Sequence, residues 1–383
     1  MKRRIYMDHA ATSPTAKEVL KEMKPYFGKI FGNASSLHSF GREAKKTLEE
    51  GREKVAKTIN AEPDEIYFTS GGTEANNLAI KGAVKKGDHI ITSKIEHTSV
   101  LETCKALEKD GVNVTYLDAD KYGFVDLKQL NKSLTRQTAL VTIMHANNEI
   151  GTIQPVEKIA EICRRKNVYF HTDAVQTFGK IPIDVKKTGV DMLSASAHKL
   201  YGPKGVGMLY MRNGVDVKSM LHGGGHERKL RSGTENVAGI VGFAKACEIA
   251  EKNMRNDIIR LTKLRNNLIK GVLEKVPDSN LNGHPKKRLC GNAHFRFKYI
   301  EGEALILKLD GTGIAASTGS ACSQKDLKPS HVLTAIGLGP VEAHGSLRLT
   351  LGRDNTKKDV KKVLKVLPGI VEDLRRISPL RRG

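Results

Sequence analysis

Between residues 65 and 197 the chain alternates short apolar runs with longer amphipathic ones. EIYFTS (65–70), HIITS (89–93), VNVTYLD (112–118), ALVTIMH (139–145), NVYFHTDA (167–174) and DMLSASA (191–197) have the length and composition of strands. Helical patterns follow most of them: GGTEANNLAIKGAV, a stretch from Thr98, VDLKQLNKSL and VEKIAEICRRK. Repeated strand–helix units predict an α/β fold with a mainly parallel sheet covered by helices on both faces. Upstream lie an extended arm of fourteen residues, a helix near 16–27, a Gly/Asn/Ser loop at 32–43 and a helix over 44–59. Downstream, a helical region (234–276) leads to strand HFRFKY, helix EGEALILKLD, a Gly/Ser loop, helix HVLTAIGL, strand SLRLTL and a last helix ending near Arg376. This tail reads as a smaller α+β domain. The expected division is 15–255 for the large domain, and 1–14 plus 256–383 for the small one.

In open α/β sheets, ligands bind beyond the carboxyl ends of the strands, and polar residues collect there in series. Gly72 and Thr73 follow the first strand and open a helix whose free N–H groups suit a phosphate or form an ordinary cap. His97 trails the next strand and reads either as a face for an aromatic ligand or as a structural histidine. Asn148 follows the 139–145 strand; Asp173 and Gln176 end the next. Asp173 suits a cation such as a pyridinium N–H, or simply caps the turn that follows it. Ser196, His198 and Lys199 end the last strand, before the turn Gly202-Pro203-Lys204-Gly205. A partly desolvated lysine there can form a Schiff base with a carbonyl cofactor. Ser196 to Lys199 also fits the S-x-x-K spacing of serine nucleophiles. Arg348, in SLRLTL, either grips a carboxylate bidentately or lies on a solvent-facing edge.

Composition narrows the class. The 383 residues are 39% hydrophobic, enough for a large core. No apolar run approaches the ~20 residues of a membrane span, and the N-terminus has no signal-peptide core. Five cysteines without a C-x-x-C pair argue against a disulfide framework and predict a reducing, cytoplasmic location. Cys104, Cys163 and Cys247 sit on apolar helix faces, and Cys290 is ambiguous. Cys322, in the polar loop STGSACSQKDLKPS beside Lys325 and Lys328, has the setting of a reactive thiolate. The formal charge of +22 is spread along the whole chain without interleaved aromatics, so direct nucleic-acid binding is not expected.

Lysine, phosphate cradle, aspartate and thiol come together with longer motifs. IYMDHAATSP, GNASSLHSFGR, FTSGGTEANNLAIKG, HANNEIGTIQPV, HTDAVQTFGKIPIDV, SASAHKLYGPKGVG, GGGHERKLRSGTENVAGIVGF, STGSACS and GSLRLTLGR span nearly the whole chain. The sequence resembles the pyridoxal-phosphate-dependent cysteine desulfurases of the IscS/NifS group, in the class V aminotransferase family. The resemblance implies fold type I, a homodimer and a pyridoxal 5'-phosphate cofactor bound covalently by Lys199, which also moves the substrate Cα proton. It implies that Asp173 pairs with the pyridine nitrogen, Gln176 with the ring oxygen, and that His97 stacks on the ring and counts with Lys199 and Cys322 among the catalytic residues. Gly72, Thr73, Ser196 and His198 would hold the phosphate, with Thr234 reaching across from the other subunit. Asn148 and Arg348 would position cofactor and substrate carboxylate. Cys322 would be the nucleophile that takes sulfur from L-cysteine and passes it on for iron–sulfur assembly, and possibly for tRNA or cofactor thiolation. The implied partner is an IscU-like scaffold protein, with a transient [2Fe-2S] cluster at Cys322. Two positions depart from the group's usual pattern: His9 stands for Asn, and Ala34 for Pro. Both are expected to tune the site. The short ending SPLRRG lacks the tail that helps bacterial members dock the scaffold, which puts that docking in question.

Overall fold

A computed structural model describes residues 4–319 and 329–379. The chain runs β1 (Ile5–Tyr6), α1 (Lys17–Met23), α2 (Ser39–Lys57), β2 (Ile66–Thr69), α3 (Gly72–Gly82), β3 (His89–Ser93), α4 (Thr98–Lys109) and β4 (Asn113–Leu117). Then come α5 (Leu127–Ser133), β5 (Thr138–Thr142), α6 (Val156–Arg165), β6 (Tyr169–Asp173), α7 (Val185–Thr188), β7 (Met192–Ser196) and β8 (Gly207–Met211). The last part holds α8 (Val237–Lys275), β9 (Ser279–Leu281), β10 (Asn292–Phe297), α9 (Gly302–Gly311), β11 (Ile314–Ala315), α10 (His331–Ala335), α11 (Pro340–His344), β12 (Ser346–Thr350) and α12 (Lys357–Ile377).

All six strands expected from the alternation form, and they join one seven-stranded sheet in the order β2-β8-β7-β6-β5-β3-β4. Pairing is parallel except that β8 runs antiparallel to both β2 and β7. The pattern did not announce β8. GMLYM follows a Gly/Pro loop and is nearly buried throughout, so it lacks polar alternation. The loop expected over 32–43 also ends early, because His38 accepts a bond from the Gly41 N–H (3.4 Å) and starts α2 at Ser39.

Two apolar clusters organise the molecule. One packs α2, α6 and the sheet through residues such as Val55, Phe170, Phe178 and Phe243; another packs β10, β12, α9 and α12 through Phe295, Leu309, Leu347 and Leu367. The 39-residue α8 serves both: Ile240 to Ala250 belong to the first cluster and Leu261 to Val272 to the second. β1 pairs with β11, and Met7 lies in the second cluster, so the N-terminal arm crosses from it to the sheet's carboxyl edge. At that edge, one side chain of the arm ties it to the turn: Ser13 Oγ donates to the His198 carbonyl (2.6 Å), and Tyr201 N–H donates to Ser13 Oγ (2.8 Å). No helix among the described residues is long and apolar enough to cross a membrane.

Candidate active site

Because β2, β5, β6 and β7 point the same way, their ends converge on one cavity of about 320 Å³. Gly72, Thr73, His97, Asn148, Asp173, Gln176, Ser196, His198, Lys199 and Arg348 all line it. A volume of this size is that of a small-molecule site. Thr234 is exposed and outside the cavity wall in the single chain. Cys322 lies outside the described residues.

Lys199 ends a single 3₁₀ turn after β7, with its Nζ donating to the carbonyls of Ala10 (2.6 Å) and Ala11 (2.7 Å) on the arm. Burial pulls its pKa down to about 7, with further lowering from Lys180 and Arg348. Near neutral pH the amine therefore exists in large part as a free base, the form that attacks a carbonyl. Gln176 Nε2 donates to the same Ala10 carbonyl (3.0 Å).

Asp173 reads both ways that its sequence allowed. One carboxylate oxygen accepts from Val175 N–H (2.9 Å), a turn cap, while the other accepts from Asn76 Nδ2 (2.7 Å) inside the site. His97 caps α4, accepting at Nδ1 from the Ser99 N–H (3.1 Å), and it faces the cavity as well. Burial lowers its pKa. His198 is likewise held below its ordinary range, at about 4, by burial and by the adjacent Lys199, and its Nδ1 bonds Thr12 Oγ1 (3.0 Å).

The amino end of α3 carries no side-chain cap. A Cβ on Gly72 would stand 2.6 Å from Val175 Cγ2, so only glycine leaves this helix end against the turn after Asp173. Ser196 lies beside it, 4% exposed. Open N–H groups with a neighbouring hydroxyl and imidazole form an anion cradle.

Arg348 is 2% exposed, which rules out the solvent-facing edge. Its Nη1 donates to the Asn148 (3.0 Å) and Gly319 (3.2 Å) carbonyls, and its Nη2 to Asp8 Oδ1 (2.9 Å). Among the described residues its buried Nε–H has no partner.

The chain matches the Aminotransferase class-V family over residues 5–363. It is 54% identical to a cysteine desulfurase IscS of Dictyoglomus turgidum, covering 100% of this chain and 98% of that one. The chain belongs to the class-V aminotransferase family, in its cysteine desulfurase branch. Among solved structures, a NifS-like protein superposes with a TM-score of 0.91 at 41% identity, covering 97% of this chain and 100% of the other. A protein described as SspA in complex with cysteine gives 0.79 at 38% identity, over 91% of this chain and 98% of the other. The architecture is thus fold type I of the pyridoxal-phosphate enzymes.

The pyridoxal phosphate expected of this family fits the residues present. The uncapped α3 end suits its phosphate, Asp173 its ring nitrogen, and Arg348 in the cavity wall a substrate carboxylate. The serine-nucleophile spacing finds no support in the geometry, because no base is hydrogen-bonded to Ser196 Oγ among the described residues. Sequence reasoning missed Asn76, Ser99, Asp8 and the carbonyls of Ala10 and Ala11. Asn76, Asp8 and the two carbonyls meet their site residues only through folding, and Ser99 meets His97 locally, in the cap of α4.

Three cysteines are buried as expected: Cys104, Cys163 and Cys247, each pushed up to about 12 by burial. Cys290 is part-buried and lines a smaller cavity of about 70 Å³ behind Lys199. His9 and Lys180 line that cavity too. The replacement of Asn by His9 therefore faces the back of Lys199, and Gly352 makes room for the ring: a Cβ there would meet His9 Cε1 at 2.3 Å.

Proposed function

We propose that this chain removes sulfur from L-cysteine, yielding L-alanine and a persulfide on Cys322 that acceptor proteins take up for iron–sulfur assembly. The observation that carries the reading is the meeting of Lys199, Asp173 and Arg348 around one cavity, in a chain 54% identical to a named cysteine desulfurase. Gly72, Thr73, Ser196 and His198 hold the cofactor phosphate, and Gln176, Asn148 and His97 its ring. Thr234 of a second subunit in a homodimer completes the phosphate site. Pyridoxal phosphate supplies an electron sink that weakens the bonds at the substrate Cα and Cβ.

The protein's share is binding and proton handling. Arg348 receives the substrate carboxylate and sets its orientation. Lys199, a free base near neutral pH, takes the Cα proton. Cys322 thiolate attacks the substrate sulfur: an S–S bond forms, the Cβ–S bond breaks, and its electron pair stays with carbon, which gains a proton on the way to alanine. An IscU-like scaffold is the expected acceptor, with a [2Fe-2S] cluster passing transiently through Cys322.

Reconstitution tests this. Purified protein with pyridoxal phosphate should develop a visible absorption band and release alanine from L-cysteine, and Lys199→Ala should lose both. A wild-type protein that folds but neither takes up the cofactor nor releases alanine would refute the reading.

A further inference from the structure

A chain of hydrogen bonds runs under the cavity from Asp173 to His97. Asn76, 1% exposed, donates from Nδ2 to Asp173 Oδ2 (2.7 Å) and also to Ser99 Oγ (2.8 Å). Ser99 Oγ lies 2.8 Å from His97 Nδ1, and the Ser99 backbone N–H donates to the same nitrogen (3.1 Å). Asn76 Oδ1 is buried and has no partner among the described residues.

The polarity of this chain is forced. A carboxylate oxygen only accepts, so the Asn76 amide must turn its NH₂ to Asp173. The second hydrogen of that NH₂ then points at Ser99 Oγ, which accepts it and so has its own hydrogen left to give. The acceptor within reach is His97 Nδ1. The backbone N–H of Ser99 demands the same thing independently, because a hydrogen on Nδ1 would collide with it. Nδ1 is therefore the lone-pair nitrogen, and the neutral ring carries its hydrogen on Nε2.

Resting on the desulfurase reading for its functional meaning, we propose that Asn76 and Ser99 are positioning residues that lock His97 as a neutral Nε2–H donor. His97 then has no site for a proton. Nε2 is occupied and Nδ1 is engaged twice, so Lys199, not His97, takes the substrate proton. The groups acting on the ring agree in part: burial, Lys199 and His331 oppose its charging, and Asp173 favours it. The unpaired Oδ1 has its explanation here. Leaving a buried carbonyl unbonded destabilises the fold. That penalty is tolerated because both hydrogens of the amide are committed, one to each side of the site.

Tautomer-sensitive NMR on protein labelled with ¹⁵N-histidine tests the proposal, with His97 assigned from the His97→Gln difference. Wild-type protein, with and without pyridoxal phosphate, should show unprotonated Nδ1 and protonated Nε2. In Ser99→Pro, which removes the hydroxyl and the backbone N–H together in the first turn of α4, the single tautomer should be lost to an exchanging mixture with protonated Nδ1. Ser99→Ala and Asn76→Leu keep the backbone N–H, so they should keep the tautomer and move the Nδ1 resonance toward that of a nitrogen accepting a single bond. Circular dichroism checks that each variant keeps the fold. Protonated Nδ1 in the wild type, an unchanged tautomer in folded Ser99→Pro, or an unmoved Nδ1 resonance in both other variants overturns the proposal. The measurement needs no turnover. A protein that releases no alanine yet shows the Nε2–H tautomer refutes the activity and leaves the relay standing.

Discussion

A lysine serves as a base at neutral pH only if something strips its proton, and burial does most of that for Lys199. The positive charge of Lys180, itself lowered to about 8 by burial, adds to it from the cavity behind. Lys180→Met should raise the pH at which the Lys199 amine becomes reactive. Its rate of acylation as a function of pH in cofactor-free protein reads this directly, and an unmoved midpoint removes Lys180 from the account. Glu96 shows the opposite problem. Fully buried, it accepts from Ser93 Oγ (2.6 Å) and Met144 N–H (2.9 Å), and burial lifts its pKa to about 8. A carboxyl whose folded value is raised holds its proton better than the unfolded chain does. Its contribution is present below about pH 4.5 and is lost as pH rises toward 8. Glu96→Gln keeps both bonds without the titration. It should gain thermal stability relative to wild type at pH 8.5 and much less at pH 5, as melting curves would show. At this scale the sequence was legible where chemistry sits at strand ends, as for Lys199 and Asp173. It was silent on partners brought from afar, since Asn76 and Asp173 lie 97 positions apart and Asp8 and Arg348 lie 340 apart.

Elements hold these side chains in place, and two of them can be broken selectively. The helix α3 reaches the site only because Gly72 clears Val175. Gly72→Ala should displace the turn after Asp173 and cost about 1–3 kcal/mol through overpacking. It should also weaken pyridoxal-phosphate affinity, measurable by fluorescence titration; wild-type affinity would show that the helix end holds no phosphate. The edge strand β2 is tied down by Arg52, which donates to the Ile66 carbonyl (2.8 Å) and pairs doubly with Glu227 (2.7 and 2.9 Å). Glu227 in turn accepts from Phe68 N–H (2.8 Å). Glu227→Gln leaves the buried Arg52 guanidinium with Glu49 as its one charge partner among the described residues (3.0 Å), a loss of about 1.5–3 kcal/mol. The denaturant midpoint should fall accordingly. Apolar runs revealed six strands, β3 and β7 among them although both are buried throughout, whereas β8 escaped inside the glycine-rich stretch that follows Lys199.

For the whole molecule, acid is the vulnerable side. His171 and His294 are held near 3, and His9, His145 and His198 near 4, in each case chiefly by burial. Their lowered folded values make stability present above about pH 6.5 and lost as pH falls toward 4, where the unfolded chain binds protons that the native one refuses. Melting temperatures should therefore drop steeply between pH 6.5 and 4, and a flat profile would contradict the burial of these rings. The arrangement of two apolar clusters around α8 brings the arm, the sheet edge and the strand bearing Arg348 to one cavity. That convergence gives the cysteine-desulfurase reading its physical basis, and Cys322 is where the reading commits itself. The decisive measurement is mass spectrometry of the Cys322 peptide after the pyridoxal-phosphate-loaded protein meets L-cysteine without reductant. The account predicts one added sulfur on Cys322, with alanine formed in step, and neither in Cys322→Ser. Alanine released at the wild-type rate by Cys322→Ser, or sulfur found on another cysteine, would contradict it.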